Sequence, residues 1–141
     1  MEKEKILISA CLAGINCKYD GGNNENEKIL KLIRSGDAIL VCPEQMGGLP
    51  TPRGAAERCQ ERVITKDGRD VTQEFRRGAE ETLNLVKKFH IKKAILKARS
   101  PSCGKNTNYD GTFTHTLIDR DGVTAELLKK NGIEIISEEE L

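Results

Sequence analysis

Ile6-Leu7-Ile8-Ser9-Ala10-Cys11 carries a short apolar run almost directly into a cysteine, and the chain repeats that pattern twice. Ile39-Leu40-Val41 leads into Cys42, and Ala94-Ile95-Leu96 gives out shortly before Cys103. Short apolar runs bounded by loop residues read as buried strands. Amphipathic segments alternate with them, which predicts an α/β fold: a three-layer, mostly parallel, Rossmann-like sheet covered by helices. In an open parallel sheet the carboxyl ends of the strands converge on one crevice. Three thiols from three distant segments are therefore expected at one site, where they would bind a metal or cluster and leave one coordination position free.

Working outward, Asn24 with Glu27 three residues later matches a capping box. It opens a helix with Ile29, Leu30, Leu32 and Ile33 on its buried side, ended by Ser35-Gly36 before a strand at 38–41. From Pro43 to Glu57 three prolines and three glycines predict a shaped, irregular loop lining the site. Residues 62–65 read as a short strand and Lys66-Asp67-Gly68-Arg69 as a turn. A long helix is expected from Asp70, capped with Gln73, to about Lys88, its core stripe running from Val71 through Phe75, Ala79, Thr82, Leu83 and Val86 to Phe89. A third strand follows at 93–97, then short β character at Thr112-Phe113-Thr114, a helix over 123–130 stopped by Asn131-Gly132, and a closing strand at 133–136.

The 141 residues suit one domain, 1–141, large enough to bury a core unaided. Lys plus Arg (23) nearly cancel Asp plus Glu (22), so nothing points to polymeric nucleic acid. No run approaches the roughly 20 apolar residues of a membrane span, and the start of the chain resembles no signal peptide, so a cytoplasmic protein without membrane partners is expected. The five cysteines, at 11, 17, 42, 59 and 103, lack CxxC pairing. In a reducing compartment they read as ligands or free thiols ahead of disulfides, and Cys59 reads as a buried free thiol.

Three stretches carry chemistry. Cys11 to Gly22 is a strand exit and a glycine-dense loop, suited to close ligand approach or to an ordinary turn. In Cys42-Pro43-Glu44 the proline fixes the backbone between thiol and carboxylate, and Glu44 reads as a general acid or base or as an exposed loop acid. Arg53, on a proline-stiffened loop, can fork onto a phosphate or carboxylate. Lys97-Ala98-Arg99-Ser100-Pro101-Ser102-Cys103-Gly104-Lys105 sets hydroxyls and a thiol among cations, suited to a thiolate, an anion or a phosphate-binding turn. Neither His90 nor His115 sits in a recognisable triad context, and no Walker A, GxGxxG or HExxH pattern occurs.

Cys11-Leu12-Ala13-Gly14, Tyr19-Asp20-Gly21, Cys42-Pro43-Glu44, Gly47-Gly48-Leu49, Pro52-Arg53, Glu57, Ser100-Pro101-Ser102-Cys103-Gly104, Tyr109-Asp110-Gly111-Thr112-Phe113 and Gly122-Val123-Thr124-Ala125 occur in that order. They resemble the small domain-of-unknown-function family that includes thiouracil desulfidases, over about residues 9–136. The resemblance implies a [4Fe-4S] cluster on Cys11, Cys42 and Cys103 with one iron open to substrate. It implies that the thiocarbonyl sulfur of thiouracil or 4-thiouridine monophosphate meets that iron, that the acid matching Glu44 activates water, and that the hydroxyl matching Ser100 assists proton transfer. Hydrosulfide then leaves with no net redox change. Lys18, Arg53, Arg99 and Lys105 are expected to favour a nucleotide through its phosphate. Lys18 stands where many relatives carry Arg, and Cys17 is a further candidate ligand or sulfur acceptor. The alternative from another class is a non-catalytic iron-sulfur or zinc-binding protein with a carrier or sensing role.

Overall fold

The computed structural model describes residues 4–141. Its centre is a four-stranded parallel sheet of β1 (Lys5–Ser9), β2 (Asp37–Val41), β5 (Lys93–Leu96) and β8 (Glu134–Ser137), in the order β2-β1-β5-β8. The chain steps from β1 outward to β2 through α1 (Glu27–Ser35), then crosses back to β5 through α3 (Thr72–Lys88) and on to β8 through α4 (Val123–Lys130). Parallel crossovers are right-handed, so connections running in opposite directions place their helices on opposite faces. The core shows this as strict alternation: Ile6, Ile8, Ala38, Ile95 and Ile136 pack with Ile29 of α1. Leu7, Ile39, Ala94, Leu96 and Ile135 pack with Val86 of α3 and Leu128 of α4. The three-layer parallel α/β reading is the observed architecture.

Two antiparallel hairpins are added to this frame. β3 (Ala56–Cys59) pairs with β4 (Arg62–Thr65), and β6 (Thr107–Tyr109) pairs with β7 (Leu117–Asp119). Val63 and Phe75 pack the first hairpin onto α3. Arg58 fixes it to the start of α4, buried to 4% exposure and donating to Gln60 O, Asp121 O and Glu126 Oε2 at 2.8–2.9 Å.

Several local expectations are corrected. Helix α1 is capped by Asn26, whose side chain accepts from the amides of Lys28 and Ile29; Asn24 is drawn instead to Cys11, its Nδ2 3.5 Å from the sulfur. Helix α3 begins at Thr72, and Asp70 accepts from the Thr72 amide at 2.9 Å from one residue outside the cap position. The stretch expected to be wholly irregular contains a helical turn, α2 (Pro43–Met46), with proline in its first turn, and the start of β3. Thr112-Phe113-Thr114 lies in the loop between β6 and β7, where Phe113 has a φ of 58°, outside any strand. Cys59 is exposed at the end of β3. Phe89 leaves the core at 44% exposure, and the Lys5 ammonium stands 5.0 Å from its ring centre.

Helices α2 and α3 meet backbone to backbone. A Cβ on Gly78 would fall 1.9 Å from the Pro43 carbonyl oxygen, and one on Gly47 the same distance from that of Glu74. Only paired glycines permit this approach, which sets the position of the Cys42-Pro43-Glu44 turn. Gly78→Ala should therefore lower the unfolding free energy by about 2 kcal/mol, although alanine is the better helix former by about 1 kcal/mol. Urea unfolding showing equal or greater stability would refute the contact's importance.

Candidate active site

The strand order reverses direction between β1 and β5, and a cleft of about 520 Å³ opens beyond the carboxyl ends of β1, β2 and β5. This is where open α/β sheets place ligands. Cys11 reaches it from the 3-10 turn Ala10–Ala13 that follows β1, and Cys42 from the N-cap of α2. Cys103 is buried, 4% exposed, and does not itself line the cleft. Its thiol pairs with the Ser9 hydroxyl, which also accepts from the Lys97 amide at 3.0 Å.

Cys17, the second cysteine of the first loop, is buried beside them, and its carbonyl accepts from the Cys42 thiol at 3.7 Å. Burial first, then the neighbouring Cys42 and Cys11 thiols, pushes Cys17 up to about 12. Burial likewise pushes Cys103 up to about 12, with Cys11, Glu44 and Cys42 adding to the rise and Ser9 opposing it. The Cys11 thiol is raised by burial and by Cys42, against the Asn24 hydrogen bond and Lys97. These thiols resist ionising because each would add negative charge to an already crowded dry space. A positively charged metal core removes that opposition by displacing the protons, so the donor set suits thiolate-held metal. Among the described residues no three His, Cys, Asp or Glu side chains group tightly enough to hold one metal ion.

Glu44 lines the same cleft, its side chain only 17% exposed. Burial raises its carboxyl above the ordinary range, while Arg53 opposes the rise through charge and a 3.1 Å hydrogen bond from Nε. The rest of the Arg53 fork is engaged within the protein. Nη2 donates to the Cys17 carbonyl at 2.9 Å, and Nη1 to Pro50 O and Thr51 Oγ1 at 3.2 and 3.0 Å. Arg53 therefore joins the loops carrying Cys17 and Glu44. Ser100 also lines the cleft, and its oxygen accepts from the amides of Ser102 and Cys103 at 3.2 and 3.0 Å. With its oxygen so used, its O–H remains to donate.

The other expected anion-binding residues are distributed less simply. Arg99 lines the cleft but forks onto both oxygens of Glu139 at 2.8 and 2.9 Å. Lys105 lies outside the cleft lining and pairs with Glu140 at 2.8 Å. Lys97 pairs with Glu138 at 3.2 Å, so the acidic turn Glu138–Glu140 neutralises the loop after β5 residue by residue. Lys18 lines the cleft with its nearest carboxylate, Asp20, 3.9 Å away. Sequence reading assigned no site role to Asn24, Lys66, Tyr109 or His115, all of which line the cleft. For Tyr109 the signal was present in the Tyr109-Asp110-Gly111-Thr112-Phe113 motif, but without a role attached. Asn24 was absorbed by its resemblance to a helix cap.

Comparison with known proteins agrees with this fold. The uncharacterized protein YbbK of Bacillus subtilis (strain 168) is 42% identical over 146 residues, spanning 96% of this chain and 97% of YbbK. A solved structure of the [4Fe-4S]-dependent thiouracil desulfidase TudS matches with a TM-score of 0.94 and 45% identity, covering 99% of this chain and 93% of that one. The family model for 2-thiouracil desulfurase matches residues 6–140. Carrying the fold, the thiol-lined cleft and that match over nearly its whole length, the chain belongs to the 2-thiouracil desulfurase family.

Proposed function

We propose that this desulfurase-family enzyme hydrolyses the carbon–sulfur bond of a thiolated pyrimidine, thiouracil or 4-thiouridine monophosphate, to the oxo form and hydrosulfide in the cytoplasm. The observation that carries this reading is Glu44, a shielded carboxylate held by Arg53 in the same cleft as Cys11 and Cys42. Cys11, Cys42 and Cys103 are the residues to hold a [4Fe-4S] cluster, in keeping with the cofactor of TudS. When bound, the cluster supplies an iron without a protein ligand, a Lewis acid with affinity for sulfur.

The chain's own groups supply the proton chemistry. Glu44, desolvated and oriented by Arg53, takes a proton from the water whose oxygen forms the new bond to the ring carbon. Ser100 offers its O–H to the ring while its oxygen is held by two amides. Water provides oxygen and protons, sulfur departs with the electron pair of the broken bond, and no external oxidant or reductant is consumed. Lys18 is the group to meet a phosphate at the cleft rim, since Arg53, Arg99 and Lys105 are engaged by protein acceptors at 2.8–3.2 Å.

Anaerobically reconstituted protein should bleach the thiocarbonyl absorption of 4-thiouridine monophosphate or 2-thiouracil with equimolar hydrosulfide. A loaded cluster without turnover of either would overturn the assignment. Glu44→Gln should reduce kcat by about 10²–10⁴-fold with the cluster absorption unchanged; retained turnover would remove Glu44 from the proton path. Lys18→Met should cut kcat/KM for the nucleotide about tenfold and leave 2-thiouracil unaffected, and an equal loss on both would place the phosphate elsewhere.

A further inference from the structure

The cleft has an aromatic side for which the chemistry above has no use. Tyr109 and Phe113 line it with His115, and the Tyr109 and His115 rings meet edge to face, centroids 6.1 Å apart and planes at 82°. These side chains belong to the β6–β7 hairpin, and the loop joining its strands departs strongly from strand geometry. Gly111, Phe113 and His115 all have positive φ, at 97°, 58° and 59°. For the two non-glycine residues this conformation needs support from outside the loop.

For Phe113 the support comes from β3. Within that strand neighbouring side chains alternate: Arg58 turns into the protein, and Glu57 turns toward the cleft it helps to line. The Glu57 Oε1 accepts from the amides of Gly111 at 3.0 Å and Phe113 at 3.2 Å. Between them, the Thr112 amide donates to Asp110 Oδ1 at 3.0 Å. The Gly111 and Phe113 amides thus converge on one oxygen of the Glu57 carboxylate, while the amide between them is held within the loop. Gly111 also lies against β3, where a Cβ would come within 2.9 Å of the Cys59 Cβ. The aromatic loop is thus seated on Glu57 by charge-assisted bonds and a close backbone approach.

We propose that Glu57 is a positioning residue that holds the loop carrying Phe113 and His115 as the wall against which the pyrimidine ring lies, and so sets substrate affinity without entering the proton transfers. This rests on the reading of the cleft as a thiopyrimidine site. A ring face stacked on the wall makes the same contact in substrate, transition state and product, because replacing sulfur by oxygen leaves that face intact. Such uniform binding appears in KM and in product affinity and leaves kcat untouched.

The test uses the reconstituted enzyme, with kcat and KM on 4-thiouridine monophosphate and direct binding of the product, uridine monophosphate. Glu57→Ala should raise KM about tenfold and weaken uridine monophosphate by the same factor, with kcat within about twofold and the cluster absorption unchanged. Glu57→Gln, which keeps a neutral acceptor in the same shape and serves if the alanine variant misfolds, should fall between it and wild type. Phe113→Ala should reproduce the KM effect, and Glu57→Ala combined with Phe113→Ala should be no worse than the more impaired single variant. Unchanged KM in the Glu57 variants, a fall in kcat alone, or additive losses in the double variant would overturn the proposal while the desulfidase reading stood. A wild-type enzyme that neither turns over the thionucleotide nor binds uridine monophosphate would overturn both.

Discussion

Parallel strands are joined almost always by crossovers of one hand, and the site depends on how that constraint is used. The chain leaves β1 toward one edge of the sheet and leaves β5 toward the other, so the loops after these adjacent strands diverge and leave a crevice. Register completes the arrangement. Ser9 lies two residues beyond Leu7 and turns to the same face of the sheet, where its hydroxyl meets Cys103. The strand ends deliver the cysteine loops to one crevice, where the Cys42 thiol donates to the Cys17 carbonyl.

Within the crevice, charge is controlled by pairing rather than by exposure to water. The Arg53–Glu44 pair has side chains only 6% and 17% exposed, and Arg53 also reaches the Cys17 carbonyl, so one guanidinium serves both carboxylate and thiol loop. A buried pair of this kind is weak evidence for stability, since desolvation offsets attraction. Its value lies in orientation: a carboxylate with a fixed partner faces the cleft in one pose. The thiols present the opposite case. They are crowded and desolvated, a condition that favours binding of positive charge over free thiolates.

The central frame was legible in the sequence because its signals are local. Apolar triplets mark β1, β2 and β5, and Val123 to Lys130 with Asn131-Gly132 marks α4 and its end. What escaped reading depends on partners distant in the chain. Asn24 and Asn26 look alike as caps until Cys11 engages the first of them. β3 has no period of its own and exists because β4 pairs with it. Lys97, Arg99 and Lys105 look like a basic anion site until Glu138, Glu139 and Glu140 fold back across them. Motif order singled out Cys11, Cys42, Glu44 and Ser100, which the fold brings to one cleft, while the contact between Glu57 and the Phe113 amide is visible only in the fold.

That acidic turn has a consequence for when the site can form. The loop with Ser100 and Cys103 is fastened by residues some 35–40 positions later in the chain: Glu138 accepts from the Ala98 amide, and Glu140 holds Lys105. Chains emerge from the ribosome N-terminus first at about 5–20 residues per second. A nascent chain that already displays Cys11 and Cys42 still lacks β8, the edge strand beside β5, and the carboxylates that follow it. The third thiol loop is completed only after those residues have left the exit tunnel.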